Sequence, residues 1–285
     1  MKVLLSLTVI IAVTVLSSLA FSEERKIILV SDVDDTIKVS HVLNKGGALS
    51  HAANISGAFT GMSQLYKLIA RESNAKVIYL SNAPEGFENF QPIRFLHENF
   101  LEYNDFPAGE LLLRKDLNDQ NHKLNQLRRL LLEENPSAMI LIGDNGERDS
   151  EIYHQFTQES KLSGVKIVSF IHQLYGTKQK FILDRILQGQ VFAAVGKSIT
   201  AEQFGYVTPV EISLQLNLEG LLSDASRQWM VDKMAPYIAA QPHQGFNVIG
   251  QTTFANFEDC SDFKWRWAVT REITPLVEKI KAECK

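Results

Sequence analysis

Five short apolar runs, Lys26 to Val30, Val77 to Leu80, Glu110 to Leu113, Met139 to Ile142 and Val165 to Ile171, are separated by segments of helical periodicity. Strands joined through helices run parallel, because the connecting helix returns the chain to the end of the sheet it started from. The pattern predicts an α/β chain with a doubly wound parallel sheet over residues 22–173. Phe59, Met62, Leu65, Tyr66 and Ile69 form one apolar helical stripe, and Leu124, Leu127, Leu130 and Leu131 form another; both read as core packing. Pro92 suits the first turn of a helix over Ile93 to Asn99, and Asn135-Pro136 ends the helix before it. Beyond the sheet, Lys180 to Leu187, Pro209 to Leu218, Ser226 to Ala239 and Thr270 to Glu283 read as helices. Residues 174–285 are therefore expected to be a mostly helical C-terminal extension packed on the core, with Phe254, Phe257, Phe263, Trp265 and Trp267 facing the sheet or, alternatively, forming a lipid- or partner-facing patch.

Open parallel sheets bind ligands at the carboxyl ends of their strands, where the strand order reverses. Polar clusters fall at those ends: Asp32, Asp34 and Thr36 after the first run, Ser81 and Asn82 after the second, Lys123 opening a helix, and Gly143-Asp144 with Asp149 after the fourth. Each alone is ordinary cap or turn chemistry. Together they suit phosphoryl transfer. Asp32 is the candidate nucleophile, forming an aspartyl-phosphate that splits one hard step into two. Asp34 is the candidate acid and base. Thr36, Ser81, Asn82 and Lys123 are the candidate phosphate contacts. So many carboxylates beside a phosphate need a hard divalent cation, which points to Mg²⁺ held by Asp32, Asp34, Asp144 and Asp149. His122, His41 and His51 are read as exposed or packed side chains rather than proton carriers.

The motifs Asp32-Val33-Asp34-Asp35-Thr36, Leu80-Ser81-Asn82, His122-Lys123 and Gly143-Asp144 with Asp149 resemble those of the haloacid dehalogenase superfamily. The longer strings Ser31 to Lys38, Leu80 to Pro84, Leu111 to Arg114, Asn121 to Lys123 and Ile142 to Tyr153 are similar to the catalytic domain of the Mg²⁺-dependent, actin-patch-associated phosphatidate phosphatases. The resemblance spans Ile28 to about Ile171. It implies a Rossmann-like core, a nucleophile at Asp32, an acid/base at Asp34, phosphate contacts at Ser81 and Lys123, metal support at Asp144 and Asp149, and hydrolysis of phosphatidate to diacylglycerol. Asn145 departs from the family pattern, which usually has Ser after the metal-binding Asp.

Met1 to Ala20 has the charge, apolar run and small terminal residues of a secretory signal, with cleavage expected after Ala20. The mature chain is expected to be secreted or periplasmic, with no membrane span remaining. In such a compartment Cys260 and Cys284 are expected to form a disulfide. A net charge of −4 without a basic block argues against nucleic acid as a partner. The expected partner is a phosphorylated substrate, with lipid phosphate at a membrane surface preferred. Small soluble phosphoesters such as nucleotides or sugar phosphates are the alternative, and a non-catalytic phospho-ligand-binding module is the rival from outside enzymes. The segment Val39 to Gly57 lies between the first and second motifs, where a small flap would cover the site, and its apolar side chains suit either a lipid or plain packing.

Overall fold

The computed structural model describes residues 26–40, 42–43, 55–86, 91–178, 195–241 and 260–284. The signal segment, His41, His51, the helix expected over Lys180 to Leu187, Phe254, Phe257 and most of the expected flap lie outside the described residues.

Six strands form one all-parallel sheet in the order β3-β2-β1-β4-β5-β6. They are β1 (Ile27–Ser31), β2 (Lys76–Pro84), β3 (Glu110–Arg114), β4 (Ala138–Asp144), β5 (Lys166–His172) and β6 (Phe204–Tyr206). The order reverses between β1 and β4, which are paired directly from Ile27–Ala138 to Ser31–Ile142. This is the switch point where an open α/β sheet has its binding crevice. The helices α1 (Met62–Ser73), α2 (Pro92–Tyr103), α3 (His122–Glu134) and α4 (Asp149–Glu159) fall between the first five strands.

Every residue of β1 and β4 is buried, as expected for central strands covered on both faces. Alternate side chains serve two cores. Ile28, Val30, Met139 and Leu141 pack with Leu124, Leu127 and Leu130 of α3 and with Ile152, Tyr153 and Phe156 of α4. On the other face Ile27, Leu29, Ile140 and Ile142 belong with Met62, Leu65, Tyr66 and Ile69 of α1 and with the C-terminal helices.

The C-terminal part adds α5 (Pro209–Leu218), α6 (Asp224–Trp229), a π turn over Met230–Met234, α7 (Ala235–Ala240) and α8 (Thr274–Glu283). Four features differ from the sequence expectation. The sheet has a sixth strand, only three residues long, too short for a periodic signal. The helix expected over Ser226 to Ala239 is broken by the π turn just before Pro236, which has no amide proton to donate. The last helix begins at Thr274 rather than Thr270. Ser81 and Asn82 lie within the irregular end of β2, where the register with β3 shifts, rather than after the strand. Cys260 and Cys284 form the expected disulfide, tying the end of α8 to the preceding segment. Trp267 is buried and donates to Gln215 of α5 at 3.2 Å, with Trp265 edge-on to it at 5.5 Å. Among the described residues no helix is long and apolar enough to cross a membrane.

Candidate active site

Asp32 follows β1 and its amide donates to Ile142 of β4 at 2.9 Å, so the switch point itself fixes its backbone. The turn beyond is held by Asp35, a non-glycine residue at φ 60. Its carboxylate accepts the amides of Ser40 at 3.0 Å and Val42 at 2.8 Å and the Tyr175 hydroxyl at 2.6 Å. These bonds offset the strain of a left-handed residue and set the loop around Asp32.

The Asp32 carboxylate is buried and held on both sides. Oδ1 accepts from Lys123 Nζ at 2.7 Å and Oδ2 accepts from the Thr36 hydroxyl at 3.1 Å. Thr36, a candidate phosphate contact, here donates its hydroxyl to Asp32. Lys123 lies in the first turn of α3, has no exposed surface, and donates a second bond to Asp149 Oδ1 at 2.6 Å. Gly143 is required at the end of β4, because a Cβ there would lie 2.5 Å from Asp149 Oδ2. Asp144 Oδ1 accepts the amides of Gly146 at 2.5 Å and Glu147 at 3.2 Å, whereas its Oδ2 is buried with no hydrogen-bond partner.

One ligand-capable oxygen from each of Asp32, Asp144 and Asp149 lies within 4.8 Å of the others. Burial pushes the Asp32 carboxyl well up, Lys123 pulls it back, and Asp149 and Glu147 push it up again. Asp144 is driven well up by burial and then by Asp149 and Asp32, with no cation opposing them. Burial disfavours the Lys123 ammonium, but Asp149 and Asp32 outweigh it and hold its proton firmly. Lys123 bonds two of the three buried carboxylates and leaves Asp144 without a cation, an arrangement that favours either a retained proton or a further cation. An all-oxygen donor set with an orphaned buried oxygen fits a hard divalent cation.

Asp34, expected among the metal ligands, is outside that group. Its Oδ1 accepts from the Ser40 hydroxyl at 2.5 Å and its Oδ2 lies 3.2 Å from His97 Nε2. Burial pushes its carboxyl up, but the bond and charge of His97 outweigh it, with Lys38 and Ser40, and hold it at about 2. His97 is a site residue that sequence reading did not identify. It lies 63 positions from Asp34, on a face of α2 with no motif of its own.

Asp32, Asp34, Ser81, Asn82 and Glu147 line one cavity of about 410 Å³, with Arg114 and Arg148 on its wall. Ser81 Oγ accepts the Ala83 amide at 3.0 Å and Asn82 donates to Glu147 at 3.2 Å, so both are held by the protein at the cavity edge. A larger cavity, about 530 Å³, opens beside edge strand β3 and includes His122 but none of the clustered aspartates. We place the chemistry in the smaller one because the carboxylates converge there. Asn145 is a clasp: its side chain accepts the amides of Leu174 at 3.1 Å and Tyr175 at 3.0 Å and donates to the Tyr175 carbonyl at 2.6 Å. A serine is shorter and would have to accept and donate through a single oxygen, whereas the amide presents acceptor and donor on two separate atoms, which gives the departure at this position a structural reason.

Residues 27–168 match the sequence family described as phosphatidate phosphatase APP1, catalytic domain. No curated protein matches the chain significantly. Among solved structures, a chain of the Pnkp1/Rnl/Hen1 RNA repair complex is 16% identical, over 65% of this chain and 44% of its own, with a TM-score of 0.29. A class C acid phosphatase from Bacillus anthracis with tungstate bound is 16% identical, over 77% of this chain and 83% of its own, with a TM-score of 0.34. The chain spans less than half the length of the RNA-repair chain it matches. Likenesses this distant carry no weight for the site.

Proposed function

Residues 27–168 belong to the phosphatidate phosphatase APP1 catalytic-domain family, and on that premise we propose that the chain is a Mg²⁺-dependent phosphomonoesterase acting through a phosphoaspartate at Asp32. The observation that carries this reading is the buried Asp32 carboxylate, fixed between Lys123 and Thr36 at the wall of a cavity, with the orphaned Asp144 oxygen in the same acidic cluster. Asp32, Asp144 and Asp149 would hold the cation, which when bound supplies the positive charge that the carboxylates and a phosphate dianion together lack.

An Asp32 oxygen forms a bond to phosphorus as the bond from phosphorus to the leaving oxygen breaks. The proton for that oxygen passes through Asp34: its carboxylate, held ionised by the bond to His97, takes the proton from Nε2 as it hands one to the leaving oxygen, while Nδ1 keeps the ring in place by donating to the Ile93 carbonyl at 2.9 Å. Hydrolysis then reverses the transfer, Asp34 taking a proton from the water that attacks the acyl phosphate and frees Asp32. Lys123 steadies Asp32 and Asp149 rather than reaching into the cavity, since its ammonium is fully buried between them.

For substrate we propose a lipid phosphomonoester, in keeping with the family's description. The second reading, a small soluble phosphoester, is favoured by the cavity wall, where Asn82, Arg114, Glu147 and Arg148 are polar or charged. We also propose export through Met1 to Ala20, with cleavage after Ala20 giving a secreted or periplasmic protein; an intact Met1 on the exported protein would refute cleavage. Assay of the purified protein on micellar phosphatidate and on an aryl phosphate, each with Mg²⁺ or EDTA, tests metal need and substrate class together. Mg²⁺-dependent release of phosphate from phosphatidate is the expected result. Activity on the aryl ester alone would remove the lipid assignment, and equal activity in EDTA would remove the metal.

A further inference from the structure

The cations around the catalytic cavity are not equally available. Lys123 spends its ammonium on Asp32 and Asp149. Lys38 is buried with its ammonium 5.7 Å from the centre of the Phe100 ring, and Arg148 donates Nε to Glu151 at 3.2 Å. Arg114 differs from all three. It is the last residue of β3, paired in register with Pro84 beside the Ser81-Asn82 end of β2, and its carbonyl is fixed by the Glu85 amide at 3.0 Å. Its backbone is thus set by the sheet, and its side chain lines the same cavity as Asp32, Asp34 and Ser81. Among the described residues its guanidinium has no ion pair, and its Nε is buried without a hydrogen-bond partner.

A buried donor left unmade is destabilising, and guanidinium is the side chain best shaped to satisfy it with two parallel bonds to one oxyanion. A partner inside the protein would have closed this site. The cavity instead leaves its cation to whatever enters. We propose that Arg114 is a substrate-binding residue that holds an oxyanion of the phosphoester, so that the enzyme's substrates are recognised through that anion as well as through the reacting carbon–oxygen framework. This rests on the phosphatase reading of the cavity. The oxyanion belongs either to the phosphate being transferred or to a second anionic group on the same substrate.

The test uses the Mg²⁺-loaded full chain, Arg114→Gln and Arg114→Lys. Orthophosphate binding is measured by calorimetry, and kcat and KM are measured on phenyl phosphate and on a sugar bisphosphate. Loss of a charge-assisted, two-pronged contact is expected to weaken binding about tenfold or more. It should appear as a higher KM with kcat changed less than about twofold, and Arg114→Lys should fall between wild type and Arg114→Gln. Weaker binding of orthophosphate and both esters places Arg114 on the transferred phosphate. A defect confined to the bisphosphate places it on a second anion. Wild-type values of orthophosphate affinity and both KM values in Arg114→Gln would overturn the proposal; should that variant not fold, wild-type values in Arg114→Lys would do so, because lysine cannot reproduce the fork. If the wild type hydrolyses neither these esters nor micellar phosphatidate yet binds orthophosphate in an Arg114-dependent way, the phosphatase reading falls and this inference stands.

Discussion

Two fully buried carboxylates, Asp144 at the end of β4 and Glu211 at the start of α5, show how differently the molecule uses buried acid. Glu211 completes a capping box: one oxygen accepts the amides of Val207 at 3.2 Å and Thr208 at 3.1 Å, and the other accepts the Thr208 hydroxyl. All its acceptor capacity faces donors of its own loop, which is what a helix start requires. Asp144 has amide donors on one oxygen only, while the other faces an acidic cluster with nothing to bond. Both carboxyls are raised by burial, Glu211 to about 7. A raised value therefore does not separate a structural acid from a functional one. The orphaned oxygen and the neighbouring like charges do.

The contrast breaks most visibly at Asp32, the proposed nucleophile. Asp32→Asn keeps the shape and the Thr36 contact but removes the attacking oxyanion, so turnover is expected to fall at least about a thousandfold while the far-ultraviolet circular dichroism stays that of wild type. A variant as active as the parent would show that this cluster is another structural network like the one around Glu211. Lys123→Met tests the same cluster through stability. Removing one member of a buried ionic group leaves the others uncompensated, at a cost of about 3–5 kcal/mol. Urea unfolding in EDTA reads it, and an unchanged midpoint would mean that Asp32 and Asp149 are protonated in the metal-free protein.

How much of this was legible differs between the two regions as well. The five longer strands and the Asp32, Asp144 and Asp149 positions follow from apolar runs with acids beyond their carboxyl ends, and Lys123 from the helix start before the fourth run, because strand direction and switch-point geometry are local consequences of β-α alternation. Phe204–Tyr206 was invisible because three residues carry no period, and it is placed by pairing with β5. His97 was invisible for another reason: its partner Asp34 is distant in sequence, and a histidine on an amphipathic helix looks like any other. Asp34 and Thr36 follow Asp32 within one motif, and the motif does not say which way each side chain turns. Successive side chains in a turn diverge, so Asp34 went to His97 and Ser40 while Thr36 folded back onto Asp32. Arg114 sat inside a recognised string without a task, since an unpaired guanidinium is apparent only once its surroundings are known.

At Glu211 the effect is one of pH. Its folded-state value, about 7, lies above the ordinary 4.5, so as pH rises the unfolded chain gives up this proton first. The stability linked to it is fully present below about 4.5, is lost between about 4.5 and 7, and is level above that, on the order of 3 kcal/mol in all. Urea midpoints across that window should decline in wild type and decline less in Glu211→Gln. Parallel curves would show that Glu211 ionises normally inside its capping box.

The smallest effect is the most discriminating. In EDTA, Asp144→Asn replaces an orphaned acid by a neutral group of the same shape, relieving repulsion from Asp32 and Asp149, so its melting temperature is expected to rise by a few degrees, as about 1 kcal/mol implies for a chain of this length. Glu211→Gln should fall in the same assay at low pH, because its amide group meets the Thr208 and Val207 donors with only one acceptor left. Added Mg²⁺ should raise the melting temperature of wild type and of Glu211→Gln, since a ligand of the folded state alone stabilises it by mass action, and should leave Asp144→Asn where it was. If instead Asp144→Asn melts lower in EDTA and still responds to Mg²⁺, its second oxygen has a role within the fold after all, and the distinction between the two buried acids disappears.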